Sequence, residues 1–226
     1  MPPTYPLIAI PAAALLLWLT WRLVRAQHGR RLSRAGYFDA LHPLFDGVRT
    51  RIQPSGFPRM TGRRGPHGFD LQAVTDTLTF RKLPALWVMV SLPEPLPLAA
   101  TLDIMARPSG QEPFTHFSTL PQMLPAPAGT PEGIALRTDN AAALPPEGLV
   151  ARHAAIFADP KVKELLISPK GLRLVILAEE ADRGRYLIFR DAEMGAMPVS
   201  PARIAPLLES LLALRDDLLD WTKGNG

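Results

Sequence analysis

The chain of 226 residues contains no cysteine. Disulfide bonds, thiolate metal sites and cysteine nucleophiles are therefore excluded, although a cysteine-free protein tolerates both oxidising and reducing compartments. Lysine is also scarce, with 5 Lys against 20 Arg, and Ala, Leu and Pro are abundant. This usage is typical of a bacterial protein from a GC-rich genome.

The motifs of common catalytic and nucleotide-binding sites are also missing. The chain has no P-loop, no dinucleotide-binding glycine motif, no His-Glu-x-x-His and no Gly-x-Ser-x-Gly. Its five histidines stand singly, and only His42 with Asp46 has metal-ligand spacing, which more often gives a surface hydrogen bond. We therefore expect no metal site and no cofactor, and a non-enzymatic role is favoured over an enzymatic one.

Charged side chains are absent from the first 21 residues. The window Tyr5 to Val24 is rich in Leu, Ile and Ala, and twenty helical residues span about 30 Å, the thickness of a bilayer core. We expect residues 1–24 to form a single transmembrane anchor with Tyr5, Trp18 and Trp21 at the interfaces. The alternatives are a buried core helix and a cleaved signal peptide, which normally carries its basic residues before the apolar segment.

Basic residues follow this segment directly. Residues 22–82 carry 12 basic and 4 acidic side chains, whereas residues 83–226 carry 13 and 17. The positive-inside rule then predicts a bacterial inner-membrane protein with its N-terminus outside and its domain in the cytoplasm, the alternative being a periplasmic domain. A basic juxtamembrane segment at 25–36 favours the lipid bilayer over nucleic acid as partner. The arginines either contact anionic lipid or only set topology: Arg22, Arg25, Arg30, Arg31 and Arg34.

Residues 37–226 predict one soluble α+β domain. Apolar alternation and apolar runs predict strands at 69–82 with a break near Ala73, 86–92, 99–107, 134–138, 172–178 and 185–190. In strand 99–107 the alternation predicts that Asp103 faces solvent. Helices are expected at 37–48, at 149–157, from Asp159 through Leu166, and as a long amphipathic C-terminal helix capped by Ser200. These elements predict a mostly antiparallel or mixed sheet backed by helices.

Two predicted loops supply candidate sites. The glycine-rich stretch within 53–68 combines exposed backbone N–H groups with guanidinium groups, which suits an anionic ligand or a lipid headgroup, unless it is only a basic surface loop. Its candidate residues are Gly62, Arg63, Arg64, Gly65 and His67. The proline-rich loop 108–133 carries aromatic residues that either anchor a partner protein or fold back over the sheet. Those residues are Phe114, His116 and Phe117.

Two functional hypotheses follow. The first is a membrane-tethered interaction or scaffold domain that binds another membrane or membrane-proximal protein. The second is a ligand-binding or enzymatic domain that recognises an anionic group through Arg63 and Arg64. The leucine stripe of the C-terminal helix covers the monomer core or, alternatively, forms a homodimer. No motif in the chain is specific enough to indicate a family.

Overall fold

The computed structural model describes residues 5–77, 83–110, 112–189, 192 and 194–224, without the side chains of 5–11, 23, 26–31, 185 and 189. Its α-helices are α1 (Tyr5–Ala35), α2 (Glu147–Ala154), α3 (Arg183–Phe189) and α4 (Pro201–Gly224). Its strands are β1 (Asp46–Ile52), β2 (Pro58–Arg64), β3 (His67–Asp76), β4 (Ala85–Leu92), β5 (Leu102–Ala106), β6 (Gln122–Leu124), β7 (Ile134–Thr138), β8 (Val162–Ser168) and β9 (Gly171–Glu180). Short 3-10 helices lie at Asp39–Leu44, Phe117–Thr119, Ala141–Ala143 and Ala155–Ala158.

The nine strands of the described part form one antiparallel sheet in the order β1-β2-β3-β4-β9-β8-β5-β7-β6. Strands β1 to β4 form a meander, and the late hairpin β8–β9 inserts between that meander and β5. The predicted α+β class, with an antiparallel sheet and a long C-terminal helix, is confirmed.

One side of the sheet, which we name the first face, is apolar and covered by helices. Helix α4 lies over it, with α2 and the 3-10 helix Asp39–Leu44 beside α4. The stripe on α4 repeats every three or four residues, as the sequence predicted, and is buried in the monomer core. Full burial of one such leucine contributes about 1.5–3 kcal/mol. The buried residues of α4 are Ile204, Leu207, Leu208, Leu211, Leu214 and Leu218.

Around β5, the opposite side of the sheet, which we name the second face, is covered by the proline-rich segment. Phe114 packs on Trp87 with ring centroids 5.3 Å apart, and Arg137 lies over Phe117 at 5.7 Å. Phe114 and Phe117 join Met105 and Val175 in a small separate core. The segment 108–133 therefore folds back over the sheet, and its residues 122–124 even form an edge strand.

The predictions for residues 37–68 were wrong in part. The helix expected at 37–48 is limited to the 3-10 helix at 39–44, and the loop expected at 53–68 contains β2 and the start of β3. Gly62 shows why a glycine-rich stretch forms a strand here: a Cβ atom at this position would lie 2.7 Å from Cβ of Phe45. The glycine lets Phe45 pack against the backbone of β2, which no larger residue permits.

Four further predictions were wrong. Residues 162–168 form strand β8 instead of a helix, and residues 183–189 form α3 instead of a strand, with residue 190 outside the described part. The break near Ala73 is absent, since Ala73 pairs in register with Val88, and residues 78–82 lie outside the described part. Asp103 lies on the second face and is buried, and all residues of strand β5 are buried, so neither side of this strand faces solvent.

Helix α1 meets the domain at its C-terminal end. The Arg34 guanidinium lies over Phe57 at 5.3 Å, and Arg34 Nε donates to the Met194 carbonyl at 3.5 Å. Tyr37 and Phe38, just after the helix, are buried in the main core. With 31 residues the helix is about 46 Å long. Within the described residues, no helix has both the length and the apolar character required for a membrane span.

Candidate functional site

The most unusual chemistry in the described structure is a pair of buried carboxyl groups on the second face. Asp103 is 1% exposed and Glu164 is fully buried. Strands β5, β8 and β9 are neighbours, and their register sets Asp103 opposite Leu166, which in turn lies opposite Arg173. Glu164 is two residues from Leu166, so all three charged side chains are diagonal neighbours on one face.

Each carboxyl group has only one oxygen with a conventional donor. Glu164 Oε2 accepts from Arg173, with Nε at 3.0 Å and Nη2 at 2.9 Å, and Asp103 Oδ2 accepts from Thr115 Oγ1 at 3.1 Å. Asp103 Oδ1 and Glu164 Oε1 are buried and have no such donor among the described residues. A proton on one carboxyl group lets it donate to the other, which explains how both groups remain buried.

The electrostatics support one shared proton. Burial, followed by the negative charge of Glu164, raises the pKa of Asp103 to about 8, although Thr115 and Arg173 act in the opposite direction. Burial also raises the pKa of Glu164, and Arg173 opposes that shift. Since Arg173 contacts Glu164 directly, we assign the proton to Asp103 and the negative charge to Glu164 near neutral pH.

A cavity of about 350 Å³ opens beside this pair. Asp103 and Arg173 line it from the sheet, His116 and Leu120 from the proline-rich segment, and Lys170 from the turn between β8 and β9. The remaining lining residues are Thr101, Leu166, Ser168 and Pro169. The cavity therefore combines cationic and carboxyl groups with an apolar wall.

A second buried ion pair lies at the start of the proline-rich segment. Lys163 Nζ contacts Glu112 Oε1 at 3.0 Å and donates to the carbonyls of Ala106 at 2.8 Å and Arg107 at 2.7 Å. Burial alone would raise the pKa of Glu112, but hydrogen bonds from Ser109 and Lys163 outweigh it and lower this pKa to about 2. Arg107 has a positive φ of 46°. Lys163 therefore holds the strained residue where the chain leaves β5.

Lys163 reaches this position because β8 contains a register shift between Val162 and Glu164. The shift lets Lys163 and Glu164, adjacent in sequence, both lie on the second face. Lys163 also lines a cavity of about 700 Å³, together with Trp87, Arg107 and Tyr186. Leu177 belongs to this larger cavity and Arg173 to the smaller one, so both cavities open on the same face of β9.

The predicted anion-binding residues 62–67 lie together on the β2–β3 hairpin. Gly65 has φ +60° at its turn. Arg64 forms an ion pair with Glu209 of α4, and His67 Nδ1 lies 2.9 Å from Glu94 Oε2. Two of the three cationic side chains thus already contact acidic partners, and only Arg63 is exposed without one among the described residues.

The predicted partner-binding residues differ in their exposure to solvent. Phe114 and Phe117 are buried, whereas His116 is exposed at the rim of the smaller cavity. The two aromatic rings therefore serve the satellite core, the second of the two expectations. Only His116 remains at the surface for contact with another molecule.

The predicted membrane-anchor residues lie on α1. Arg22 lies over Trp18 at 5.0 Å, and Arg25 lies over Trp21 at 5.2 Å. Arg34 points instead at the domain, where it contacts Phe57. The remaining predicted side chains lie outside the described part: Tyr5, Arg30 and Arg31.

Four charged groups on the second face were not predicted from the sequence as parts of a site: Asp103, Glu112, Lys163 and Glu164. The available signal was a charged residue inside an apolar run, as in Leu102-Asp103-Ile104-Met105. Among the described residues, no group of three or more His, Asp or Glu side chains is arranged to hold a metal ion.

These features define an α+β protein with a single antiparallel sheet, one apolar face and one face with buried polar groups. Comparisons with protein-family models, curated proteins and solved structures find no match to this chain.

Proposed function

We propose that this chain is a single-pass membrane-anchored protein of the bacterial inner membrane, and that its α+β domain is an interaction module held at the cytoplasmic surface. A membrane or membrane-proximal protein would be its partner. The observation that carries the proposal is the apolar surface of α1. Residues 12–22 of this helix are exposed, and they include Leu15, Leu16, Leu17 and Leu19.

A helix with this composition needs an apolar environment. Exposed apolar surface of this extent on a folded protein marks a site of contact with lipid or protein. The domain does not supply that contact, because its own link to α1 runs through Arg34 at the other end of the helix. Since no helix of the described residues meets the length and apolar character of a span, the bilayer proposal rests on the sequence of the full window Tyr5 to Val24, in which Arg22 is the first charged residue.

The domain presents a basic strip close to the end of α1. Arg49 and Arg51 of β1 and Arg59 and Arg63 of β2 are exposed on the same side of this edge hairpin. Arg51 pairs with Arg59 next to the turn that contains Phe57, the residue that contacts α1. Asp70 neutralises Arg59, with which it forms hydrogen bonds of 2.9 and 3.0 Å. The other arginines remain available to anionic headgroups, at about 1 kcal/mol each near the membrane surface.

Fractionation of cells that express the full chain tests the anchor. The protein should sediment with membranes and should be released only by detergent. At high salt, which screens the basic strip, replacement of Leu15, Leu16 and Leu17 with Asp should move it to the supernatant, whereas Met123→Asp, at an exposed apolar residue of the domain, should leave it in the membrane. Wild-type protein in the supernatant without detergent would refute the anchor.

Orientation and surface contact need separate experiments. Alkaline phosphatase fused to the C-terminus should be inactive, and activity would indicate the periplasmic alternative.

The triple Asp variant without an anchor should still sediment with vesicles rich in phosphatidylglycerol. Arg49→Glu with Arg51→Glu should weaken that binding roughly tenfold or more, whereas Arg152→Glu, distant from the strip, should not. Equal binding to neutral vesicles would exclude an electrostatic contact.

The alternative function, recognition of an anion by Arg63 and Arg64, has less geometric support. Arg64 and His67 contact Glu209 and Glu94, and an anion at this hairpin would have to displace those carboxylates. Arg63→Ala with Arg64→Ala tests the alternative, because unchanged binding to anionic vesicles would exclude a lipid site at this turn.

A further inference from the structure

We propose that the cavity beside Asp103 is a binding site for a small organic anion that carries one carboxylate group and a short apolar body. This inference goes beyond the membrane anchor and does not depend on it. The cavity lies on the second face, between the proline-rich segment and the β8–β9 turn.

The charges around the cavity favour an anion. Lys170 and His116 are exposed at its rim, and Arg173 lies in its wall. Asp103 and Glu164 share one proton in our assignment, so the pair contributes one negative charge, which Arg173 balances. Lys170 then leaves the cavity with a net positive charge, so a carboxylate is attracted and an amine is repelled.

The shape of the cavity selects for an organic ligand. A volume of about 350 Å³ lies near the lower end of the range of small-molecule sites. Leu120, Leu166 and Pro169 supply an apolar wall beside the cationic groups. A ligand with a short hydrocarbon or aromatic body can bury that body against this wall while its carboxylate stays near Lys170 and Arg173. A bare inorganic anion would leave the wall uncovered.

Asp103 forms a buried, polar part of the cavity wall. Its Oδ2 accepts from Thr115, while its Oδ1 has no conventional donor among the described residues. In the protonated form Asp103 adds no charge to the cavity, and its ionisation would place a carboxylate beside the bound anion. Other charged or titratable groups face this carboxyl group from each neighbouring element. They are Glu164 on β8, Arg173 on β9, Arg137 on β7, His116 in the proline-rich segment and Lys170 in the β8–β9 turn.

Affinity should therefore fall as the pair loses its shared proton. Because the pKa of Asp103 is raised to about 8, binding should be strong at about pH 7 and weak at about pH 9.5. The Asp103→Asn variant, whose side chain stays neutral, should bind the carboxylate with similar affinity at both pH values. His116→Gln should retain this decrease in affinity, since the substitution removes the imidazole ring but leaves the carboxyl pair in place.

Isothermal titration calorimetry on the full chain in detergent micelles tests the site. The probes are butyrate, hexanoate and benzoate, with butylamine and inorganic phosphate for comparison. We expect binding of at least one carboxylate at submillimolar concentration and none of butylamine. Lys170→Glu, at an exposed position, should lower the affinity about tenfold or more, whereas Lys161→Glu, which lies outside the cavity, should not change it.

Each outcome decides the proposal. No binding of any carboxylate at millimolar concentration, or binding unaffected by Lys170→Glu, overturns the site. If inorganic phosphate binds as tightly as hexanoate, the claim that the site selects a ligand with an apolar body is overturned. Affinity equal at both pH values in the wild-type protein overturns the role of the shared proton. Circular dichroism of each variant confirms that a loss of binding does not come from unfolding.

Discussion

The two faces of the sheet achieve burial by different means. The first face is covered by α4 and contains mainly aliphatic and aromatic side chains in regular alternation. The second face is covered by an irregular segment, and it encloses two ion pairs, Glu112 with Lys163 and Glu164 with Arg173, next to a small apolar core. The first face is stabilised by the burial of apolar surface. The second face is stable only while its buried charged groups remain paired with one another.

This difference implies different responses to mutation. A leucine on the first face loses transfer energy and leaves a cavity when it is truncated. A charged residue on the second face leaves its partner buried and uncompensated when it is removed. The following predictions test this comparison, beginning with the largest effect.

Lys163→Ala should destabilise the protein by about 3–5 kcal/mol, because Glu112 and the carbonyls of Ala106 and Arg107 would lose their common donor. Urea unfolding of the purified full chain measures this change. Lys163→Met combined with Glu112→Leu should recover much of the loss, since no charge is then left buried. Lys161→Ala serves as the exposed control and should lie within about 0.5 kcal/mol of wild type.

Leu208→Ala should cost about 2–5 kcal/mol, because this residue of α4 is fully buried against the first face. Leu187→Ala on α3, where the side chain is 57% exposed, should change stability by less than about 0.5 kcal/mol. The two variants are compared by the same urea titration. A small effect of Leu208→Ala would show that α4 is not an integral part of the core.

Asp103→Asn should change the dependence of stability on pH. The pKa of Asp103 is about 8 in the folded protein and 3.8 for an unperturbed side chain, so the folded state retains a proton that the unfolded chain releases between these values. The stability contributed by this group therefore decreases as pH rises from about 4 to about 8 and is constant above that.

The variant cannot titrate at this position, so its unfolding free energy should decrease less than that of wild type between about pH 5 and about pH 8. Unfolding in urea at these two pH values measures the difference. Asp46→Asn, on the exposed edge strand β1, should behave as wild type does. Parallel pH profiles for Asp103→Asn and wild type would contradict the shared proton.

Arg59→Ala should have the smallest effect, about 0.2–1 kcal/mol, because its ion pair with Asp70 lies at the surface, with Arg59 50% exposed. High salt should reduce the difference further. The result would sharpen the comparison, since the buried ion pair of Lys163 with Glu112 under the proline-rich segment is expected to contribute much more to the free energy of unfolding. A loss above about 2 kcal/mol would show that surface pairing is as important here as buried pairing.

The first face was largely predictable from the sequence, and the second was not. The α4 stripe predicts a helix because it repeats every three or four residues, and the short apolar runs of β4 and β9 predict strands because they are rich in β-forming residues. Strand β8 was predicted as a helix because its register shift at Lys163 breaks the alternation and leaves Val162, Leu165 and Leu166 at helical spacing. Local periodicity cannot reveal an irregularity that only pairing with neighbouring strands defines.

The candidate site was missed for a related reason. Asp103 alternates with apolar residues in β5, which predicts a solvent-facing side chain when the cover of the sheet is unknown. That cover is residues 113–121, whose prolines predict only a loop. The proximity of Asp103 to Glu164 and Arg173 depends on strand order, because β5 lies beside the β8–β9 hairpin in the sheet but far before it in sequence.

The position of α4 after the described strands has a consequence for synthesis. The meander β1 to β4 leaves the ribosome long before β9, the strand on which β4 pairs, and before the helix that covers them both. Until α4 has emerged, the nascent chain exposes the apolar first face of an incomplete sheet. The first face is therefore covered only after Pro201–Gly224 has been synthesised, and a premature stop before Pro201 would yield an uncovered sheet for quality-control proteases to remove.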